Sequence, residues 1–143
     1  MEQQARQKAL EIMEQRFGCD ALIALATTAG EVPFVRAVNS YYEDGSFYVI
    51  THAGSRKMRQ LEQNPRAAIC GDWFTGHALG ESLGWLRLPE NAELADKLRA
   101  VFAEWYDNGH VDESDENTVI LRLRLTDGTL ADHGTWYQID FTE

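Results

Sequence analysis

The sequence contains little cysteine, with only two such residues among 143. Cys19 and Cys70 lie far apart in the chain and belong to no CxxC pair, so neither a disulfide framework nor a zinc knuckle is supported. The four histidines have no HExxH or paired metal spacing. We therefore expect two reduced thiols and no metal site. Of the four histidines, His77, within the segment GHALGE, is the best candidate for a metal ligand.

Long apolar runs are also missing. No segment approaches the roughly 20 apolar residues that a membrane-spanning helix needs. The polar start MEQQARQKALE lacks the apolar centre of a secretion signal. We therefore expect a cytoplasmic protein that has no membrane partner.

Positive charge is scarce, since 13 lysines and arginines face 23 aspartates and glutamates and the net charge is −10. Nucleic acids and anionic membranes attract positive surfaces, so neither is an expected partner. The segment 36–66 is the exception, with five basic residues against three acidic ones. A small cationic segment in an acidic chain suits one compact anion, such as a phosphate ester. Scattered, solvated charge is the alternative interpretation.

Length and composition predict one packed domain over residues 1–143, because 44% of the residues are hydrophobic and 25% are charged. Helical spacing predicts helices from about Gln4 to Phe17, over residues 56–63, and from Pro89 to about Asp107. Alternating or apolar runs predict about six strands, with an ambiguous stretch at 75–88. These strands are residues 21–28, 32–42, 47–51, 66–74, 118–125 and 136–141.

Short, mostly antiparallel connections favour a mainly β fold of the α+β type, a barrel with helices packed outside it, over a doubly wound sheet. We place tight turns at Asp44-Gly45 and at Asp127-Gly128. Residues 107–116 form an acidic loop without the pattern of a calcium site. Trp136 falls on the polar side of the last strand and would there need a ligand or a partner.

The first hairpin predicts where the basic residues meet. If Asp44 and Gly45 form a two-residue loop, Arg36 faces position 53 and approaches the helix that starts after Ser55. A helix start with a hydroxyl cap, free N–H groups and nearby cations is what a dianionic phosphate requires. The alternative is that Ser55 only caps the helix, while the basic residues are solvated and Arg36 pairs with a carboxylate.

Four motifs in this region carry a resemblance to a known family. They are PFVR followed by AVN, the hairpin arm DGSFYVIT, the helix start SRK, and QLEQNPRAAI. In their order and spacing the sequence resembles the FMN-binding split-barrel family typified by pyridoxamine 5'-phosphate oxidase. The resemblance is good over about residues 5–74 and loose beyond 75. It implies a six-stranded antiparallel split β-barrel with flanking helices.

The resemblance also implies a cofactor site. FMN would lie between the two subunits of a homodimer, which gives a use to Trp136 and to Trp73 and Phe74 as ring contacts. Its phosphate would be bound by three cations, with two hydroxyl groups adding hydrogen bonds, and its ribityl chain and ring would be lined by backbone. The implied residues are Arg36, Arg56 and Lys57 for charge, Ser55 and Thr51 for hydroxyls, and Ala37, Val38, Asn39 and Ile50 for the lining.

The C-terminal part departs from the oxidase that names the family. That oxidase has a longer end, in which an arginine and a histidine grip pyridoxal phosphate, whereas here His133 has no arginine partner in the sequence. We therefore expect a different reaction, and no catalytic residue is assigned. The main hypothesis is an FMN-dependent oxidoreductase that uses a small substrate or a nicotinamide donor. The alternatives are a non-catalytic flavin-binding or redox-sensing dimer, and a deazaflavin- or haem-binding relative.

Overall fold

The computed structural model describes residues 2–143, which form three α-helices and seven strands. A single 3₁₀ turn, Pro89–Asn91, leads into the third helix. In chain order the elements are α1 (Gln3–Phe17), β1 (Ala21–Ala29), β2 (Val32–Glu43), β3 (Ser46–His52), α2 (Arg56–Gln63), β4 (Arg66–Gly71), β5 (Phe74–Trp85), α3 (Ala92–Val101), β6 (Thr118–Asp132) and β7 (Thr135–Asp140).

Six of the strands close into an antiparallel barrel. The strand order is β3-β2-β1-β4-β5-β6-β7, and a further pairing between β3 and β6 closes the first six into a ring. Strand β7 is the extra strand, paired with β6 outside that ring. Closure satisfies the backbone groups that an open sheet would expose at its edges. The predicted six-stranded antiparallel split barrel with flanking helices is confirmed.

The predicted hairpin register is correct near the turn and wrong beyond it. Tyr41 pairs with Tyr48, as a two-residue loop at Asp44-Gly45 requires, but the ladder between β2 and β3 ends there. Farther along, β2 pairs with β1 and β3 pairs with β6. Arg36 therefore lies opposite Leu25 on β1 and not opposite residue 53. The two strands separate because barrel closure provides each of them with a new partner.

One predicted strand and one predicted turn also need correction. The predicted strand 66–74 divides at Asp72-Trp73, and Phe74 begins the next strand. The chain does not turn at Asp127-Gly128, because β6 continues to Asp132 before the turn to β7. Gly128 is required there for a close approach, since a Cβ atom would lie 2.5 Å from the ring of Phe74.

The main core fills the barrel, and α1 covers it with one apolar side. The rings of Phe17, Phe47 and Phe74 pack edge to face at centroid distances of 5.5 Å and 5.8 Å from Phe17. Phe74 is thus a core residue and does not contact a ligand, which corrects its prediction as a ring contact. A second core cluster joins α3 to the outside of the barrel at Ile120.

Candidate functional site

The barrel brings four of the five predicted phosphate ligands together at the start of α2. Arg36 of β2 and the α2 residues Arg56 and Lys57, with the preceding Ser55, line one surface depression. We call it the basic depression. Phe34 and Val35 complete its lining.

Arg36 reaches this depression by crossing strand β1. Its Nη1 donates to the hydroxyl of Thr27 at 2.6 Å and to the carbonyl of Leu25 at 3.2 Å, and its Nη2 donates to Gln60 Oε1 at 3.3 Å. Thr27 and Gln60 are buried and are hydrogen-bonded to each other. These bonds tie β1, β2 and α2 together and hold the guanidinium in one position. Thr27 and Gln60 are supporting residues that sequence reasoning missed.

The three cations of the basic depression are not neutralised by ion pairs with the described residues. Among residues 2–143, no aspartate or glutamate forms an ion pair with Arg36, Arg56 or Lys57. Burial, and then the charge of Arg36, lowers the pKa of Lys57, while burial and the charge of Arg56 lower that of Arg36. The alternative in which Arg36 pairs with a carboxylate is therefore wrong, and the cluster would gain from an anion.

The helix start offers unused hydrogen-bonding groups. Ser55 is the N-cap residue of α2, yet its Oγ makes no capping bond and is buried without a partner among the described residues. The first helical bond is donated by the N–H of Arg59 to the carbonyl of Ser55 at 3.1 Å. The N–H groups of the three residues between them precede that bond and have no intrahelical acceptor. A bound phosphate would accept from all of these groups, so the residues present fit a phosphate ester.

An aromatic ring positions the most exposed of the three cations. The guanidinium of Arg56 lies over the ring of Phe34, 5.5 Å from its centroid. A cation over an aromatic face is attracted by the ring's quadrupole, which limits where Arg56 can point. Sequence reasoning did not assign Phe34 to the site. The available signal was that Phe34 and Arg36 are two residues apart on β2, so that their side chains lie on the same face of the strand.

The residues predicted to line the ribityl chain and ring lie outside the basic depression. On β2, the side chain of Val38 is in the core, while Ala37 and Asn39 are exposed on the other face. Ile50 lines a second depression, beside the acidic loop. Thr51, which was predicted to add a hydrogen bond to the phosphate, also lies there and does not line the basic depression. In that depression His52 Nε2 lies 3.3 Å from a carboxylate oxygen of Asp115.

Trp136 lines a third depression, together with Trp73. Their side chains are 64% and 68% exposed, as the polar-side placement of Trp136 predicted. Arg16 lies beside His133 in this depression, and three of its five N–H donors bond to Asp132 Oδ1 at 2.7 Å and to two backbone carbonyls at 3.0 Å. These bonds join the turn between β4 and β5 to the end of β6.

The remaining structural observations concern metals and membranes. Within residues 2–143, no group of three or more histidine, cysteine, aspartate or glutamate side chains is arranged to hold a metal ion. Over the same residues, no helix combines the length and the apolar character that crossing a membrane requires.

In comparisons with known proteins, one family model matches the sequence and many solved structures have a similar fold. A protein-family model described as pyridoxamine 5'-phosphate oxidase matches residues 11–131. No curated protein matches the chain.

Three solved structures illustrate the similarity in fold. General stress protein 26 from Bacillus anthracis is 17% identical, with a TM-score of 0.68, over 90% of this chain and 97% of that one. An FAD-binding protein from Mesorhizobium loti is 16% identical, with a TM-score of 0.65, over 90% and 92%. A heme-binding protein from Mycobacterium smegmatis is 16% identical, with a TM-score of 0.65, over 96% of this chain and 57% of that one. At these identities the similarity establishes the fold.

Proposed function

Because the chain belongs to the pyridoxamine 5'-phosphate oxidase family, whose model matches residues 11–131, we propose that it binds FMN and acts as an oxidoreductase on a small substrate. The protein would be cytoplasmic, with a nicotinamide as its electron donor. The observation that carries the proposal is the basic depression. Its three cations form no ion pair with the described residues, and the Ser55 hydroxyl is buried with no hydrogen-bond partner among them.

Each residue of the basic depression has a separate part in holding the phosphate. Arg36 is fixed by its bonds to β1 and α2, and it contributes charge in one defined position. Lys57 is half-buried, so its ammonium meets an anion with little competition from water. Ser55 provides a hydroxyl, and the start of α2 provides N–H groups and the positive end of the helix dipole.

The remaining predicted contacts complete the proposed site. Backbone of Ala37, Val38, Asn39 and Ile50 would line the ribityl chain and the ring, and Trp136 would contact the ring. Thr51 would add a hydrogen bond to the phosphate. Bound flavin supplies hydride and electron transfer by its own chemistry. The protein then contributes binding, orientation and exclusion of water.

A homodimer is part of the proposal, with the flavin between the subunits. Leu22 of β1 and Val35 of β2 are each more than half exposed on the outward face of the sheet, which is unusual for large apolar side chains. A second copy of the chain covering them would bury this surface. Sedimentation velocity should then give the mass of two chains, and Leu22→Glu should shift the protein towards one chain. A monomeric wild-type protein would contradict this part.

The second candidate is a barrel that binds a different cofactor. One solved structure with a similar fold is that of a heme-binding protein, which makes haem one alternative. A deazaflavin is another, and its phosphate would use the same ligands. A non-catalytic flavin-binding or redox-sensing dimer is the alternative in which the site binds flavin without turnover.

An absorption spectrum tests these candidates directly. The purified protein is supplemented with FMN in one sample and with haem in another, and each is desalted. Retained flavin bands support the proposal, and turnover of reduced nicotinamide with a common acceptor then separates an oxidoreductase from a non-catalytic dimer. If the desalted protein retains haem but not FMN, haem is the cofactor and the FMN proposal is wrong.

A further inference from the structure

The turn before α2 is held by hydrogen bonds that occupy each of its backbone N–H groups. The N–H of Ala53 donates to the carbonyl of Asn117 at 2.7 Å, and that of Ser55 donates to the carbonyl of His52 at 3.0 Å. The N–H of Gly54 donates to His52 Nδ1 at 3.0 Å. These three N–H groups are already used inside the protein, so the free ones of the basic depression begin with the helix itself.

The bond from Gly54 makes the imidazole of His52 a part of the turn. In β-turns the first residue is often Asp or Asn, whose side-chain oxygen accepts from the N–H two residues further along. His52 Nδ1 takes the place of that oxygen here. Gly54 permits the close approach, since a Cβ atom on it would lie 3.2 Å from Nδ1. The shape of the turn therefore depends on a side-chain acceptor at His52.

The same bond determines the tautomer of His52. A ring nitrogen that accepts carries no hydrogen, so in the neutral ring the hydrogen is on Nε2. Nε2 lies 3.3 Å from Asp115 Oδ2 in the acidic loop. The other oxygen, Asp115 Oδ1, accepts from the N–H of Asn117 at 2.9 Å. Because a carboxylate can only accept, Asp115 favours the tautomer that the turn needs.

The acidic loop is thereby attached to two parts of the molecule. Its Asp115 faces His52 at the turn before α2. Two residues earlier, Glu113 accepts from Arg99 Nε of α3 at 2.8 Å. The position of the loop is thus fixed by α3, and the loop in turn supports the imidazole beside the basic depression.

The His52–Asp115 pair has little to contribute to overall stability. The two side chains are 55% and 39% exposed, and an ion pair in contact with water adds little to the free energy of unfolding. Neither side chain lines the basic depression, so neither is expected to touch a ligand there. What the pair does hold is the turn from which α2 begins.

We propose that His52 is a positioning residue of the anion site at the start of α2. By accepting from the N–H of Gly54, it fixes the turn so that Ser55 Oγ and the first N–H groups of the helix meet a phosphate ester together with the cations. Asp115 supports His52 from the acidic loop by favouring its tautomer. The inference rests on the proposed function, because the anion that it concerns is the phosphate of the cofactor.

The first test needs no ligand. At about pH 8, where an ordinary imidazole is neutral, ¹⁵N chemical shifts of His52 should show the hydrogen on Nε2. In Asp115→Asn a larger share should be on Nδ1, because the amide can donate to Nε2. Hydrogen on Nδ1 in wild-type protein would overturn the inference, since Nδ1 could then not accept from Gly54. An unchanged tautomer in Asp115→Asn would overturn the part assigned to Asp115.

The second test measures binding of inorganic phosphate and of FMN to wild type, His52→Leu and His52→Asn. Leucine has no acceptor, so both ligands should bind about five- to tenfold more weakly to His52→Leu, the effect of one lost hydrogen bond. Asparagine can accept from the N–H of Gly54, as it does in ordinary turns, so His52→Asn should recover most of the affinity. Equal weakening in the two variants would overturn the positioning role, because loss of the imidazole's packing would affect both alike.

His110→Leu is the matched control. His110 lines the same second depression, and within residues 2–143 its hydrogen bond is from the backbone N–H to Asn108 Oδ1, at 3.2 Å. The control should leave both dissociation constants unchanged, and urea unfolding should show that every variant is folded under the conditions of the titration. A weakening as large as that of His52→Leu would overturn the specific role of His52.

The outcomes separate this inference from the proposed function. Wild-type protein that binds neither inorganic phosphate nor FMN would overturn the phosphate site, and this inference with it. If wild type binds both ligands and His52→Leu binds them equally well, the inference is overturned and the phosphate site stays in place.

Discussion

The guanidinium of Arg36 on β2 donates to the hydroxyl of Thr27 on β1, at 2.6 Å between Nη1 and Oγ1. The same hydroxyl is hydrogen-bonded to Gln60 of α2, which also accepts from Arg36. One arginine thus joins two barrel strands to the helix whose start we propose to bind phosphate. Its position is set by neutral partners, so its charge is left uncompensated for a ligand.

Loss of one cation should weaken FMN binding without unfolding the protein. Arg36→Ala and Lys57→Ala should each reduce the binding free energy by about 1.5–3 kcal/mol, the range for hydrogen bonds to charged groups. Quenching of flavin fluorescence measures the affinity. Arg66→Ala is the matched control, because Arg66 is exposed and does not line the basic depression. Full affinity in both variants would contradict the phosphate site.

Ser55→Ala should have opposite effects on stability and on binding. An N-cap serine that makes its capping bond usually contributes about 1 kcal/mol, but Ser55 makes none and its Oγ is buried without a partner. Removing that oxygen should leave the free energy of unfolding unchanged or raise it slightly. FMN affinity should fall by about 1 kcal/mol. Urea unfolding without ligand, compared with FMN titration, measures both, and a clear loss of stability would show an ordinary cap.

The affinity for phosphate should fall as the pH rises through the pKa of Lys57. In the free protein, burial and then the charge of Arg36 lower this pKa, and a bound dianion would raise it again. Binding therefore takes up a proton in the window between the two pKa values, and affinity declines across that window. Calorimetry in buffers of different ionisation enthalpy should detect the proton, and Lys57→Ala should abolish the alkaline decline. Release of a proton on phosphate binding in that pH window would contradict the predicted direction of the Lys57 pKa shift.

Glu113 should stabilise the protein at neutral pH and lose this effect in acid. Hydrogen bonds from Arg99 lower its pKa from 4.5 to about 2, with burial opposing them and Tyr106 assisting. Because the folded pKa is below the unfolded one, this stability is present above about pH 4.5 and is lost as the pH falls towards 2. Glu113→Gln should cost about 2–3 kcal/mol at pH 7 and much less near pH 2.

Urea unfolding of wild type and variant at both pH values measures this difference. Asp96→Asn is the matched control, because Asp96 also binds Arg99, at 2.7 Å, but has an 80% exposed side chain. The control should change stability by less than about 1 kcal/mol. An equal loss of unfolding free energy in the two variants would show that the burial of Glu113 does not strengthen its interaction with Arg99.

Local patterns in the sequence determined most of the elements. Helical spacing predicted α1 and α2, and alternation predicted β2 and β3 with their turn at Asp44-Gly45. These features depend on neighbours within a few residues, where side-chain direction and turn conformation are set by the chain itself.

Only the tertiary structure decided which strands pair beyond the turns. Barrel closure paired Arg36 with Leu25, carried β6 past Gly128 so that Phe74 could pack in the core, and joined His77 to Asp127 from strands far apart in the chain. A strand's alternation specifies which face is buried, but not which partner it takes, because backbone hydrogen bonds are the same for every strand. The partner follows from how the whole sheet closes and packs.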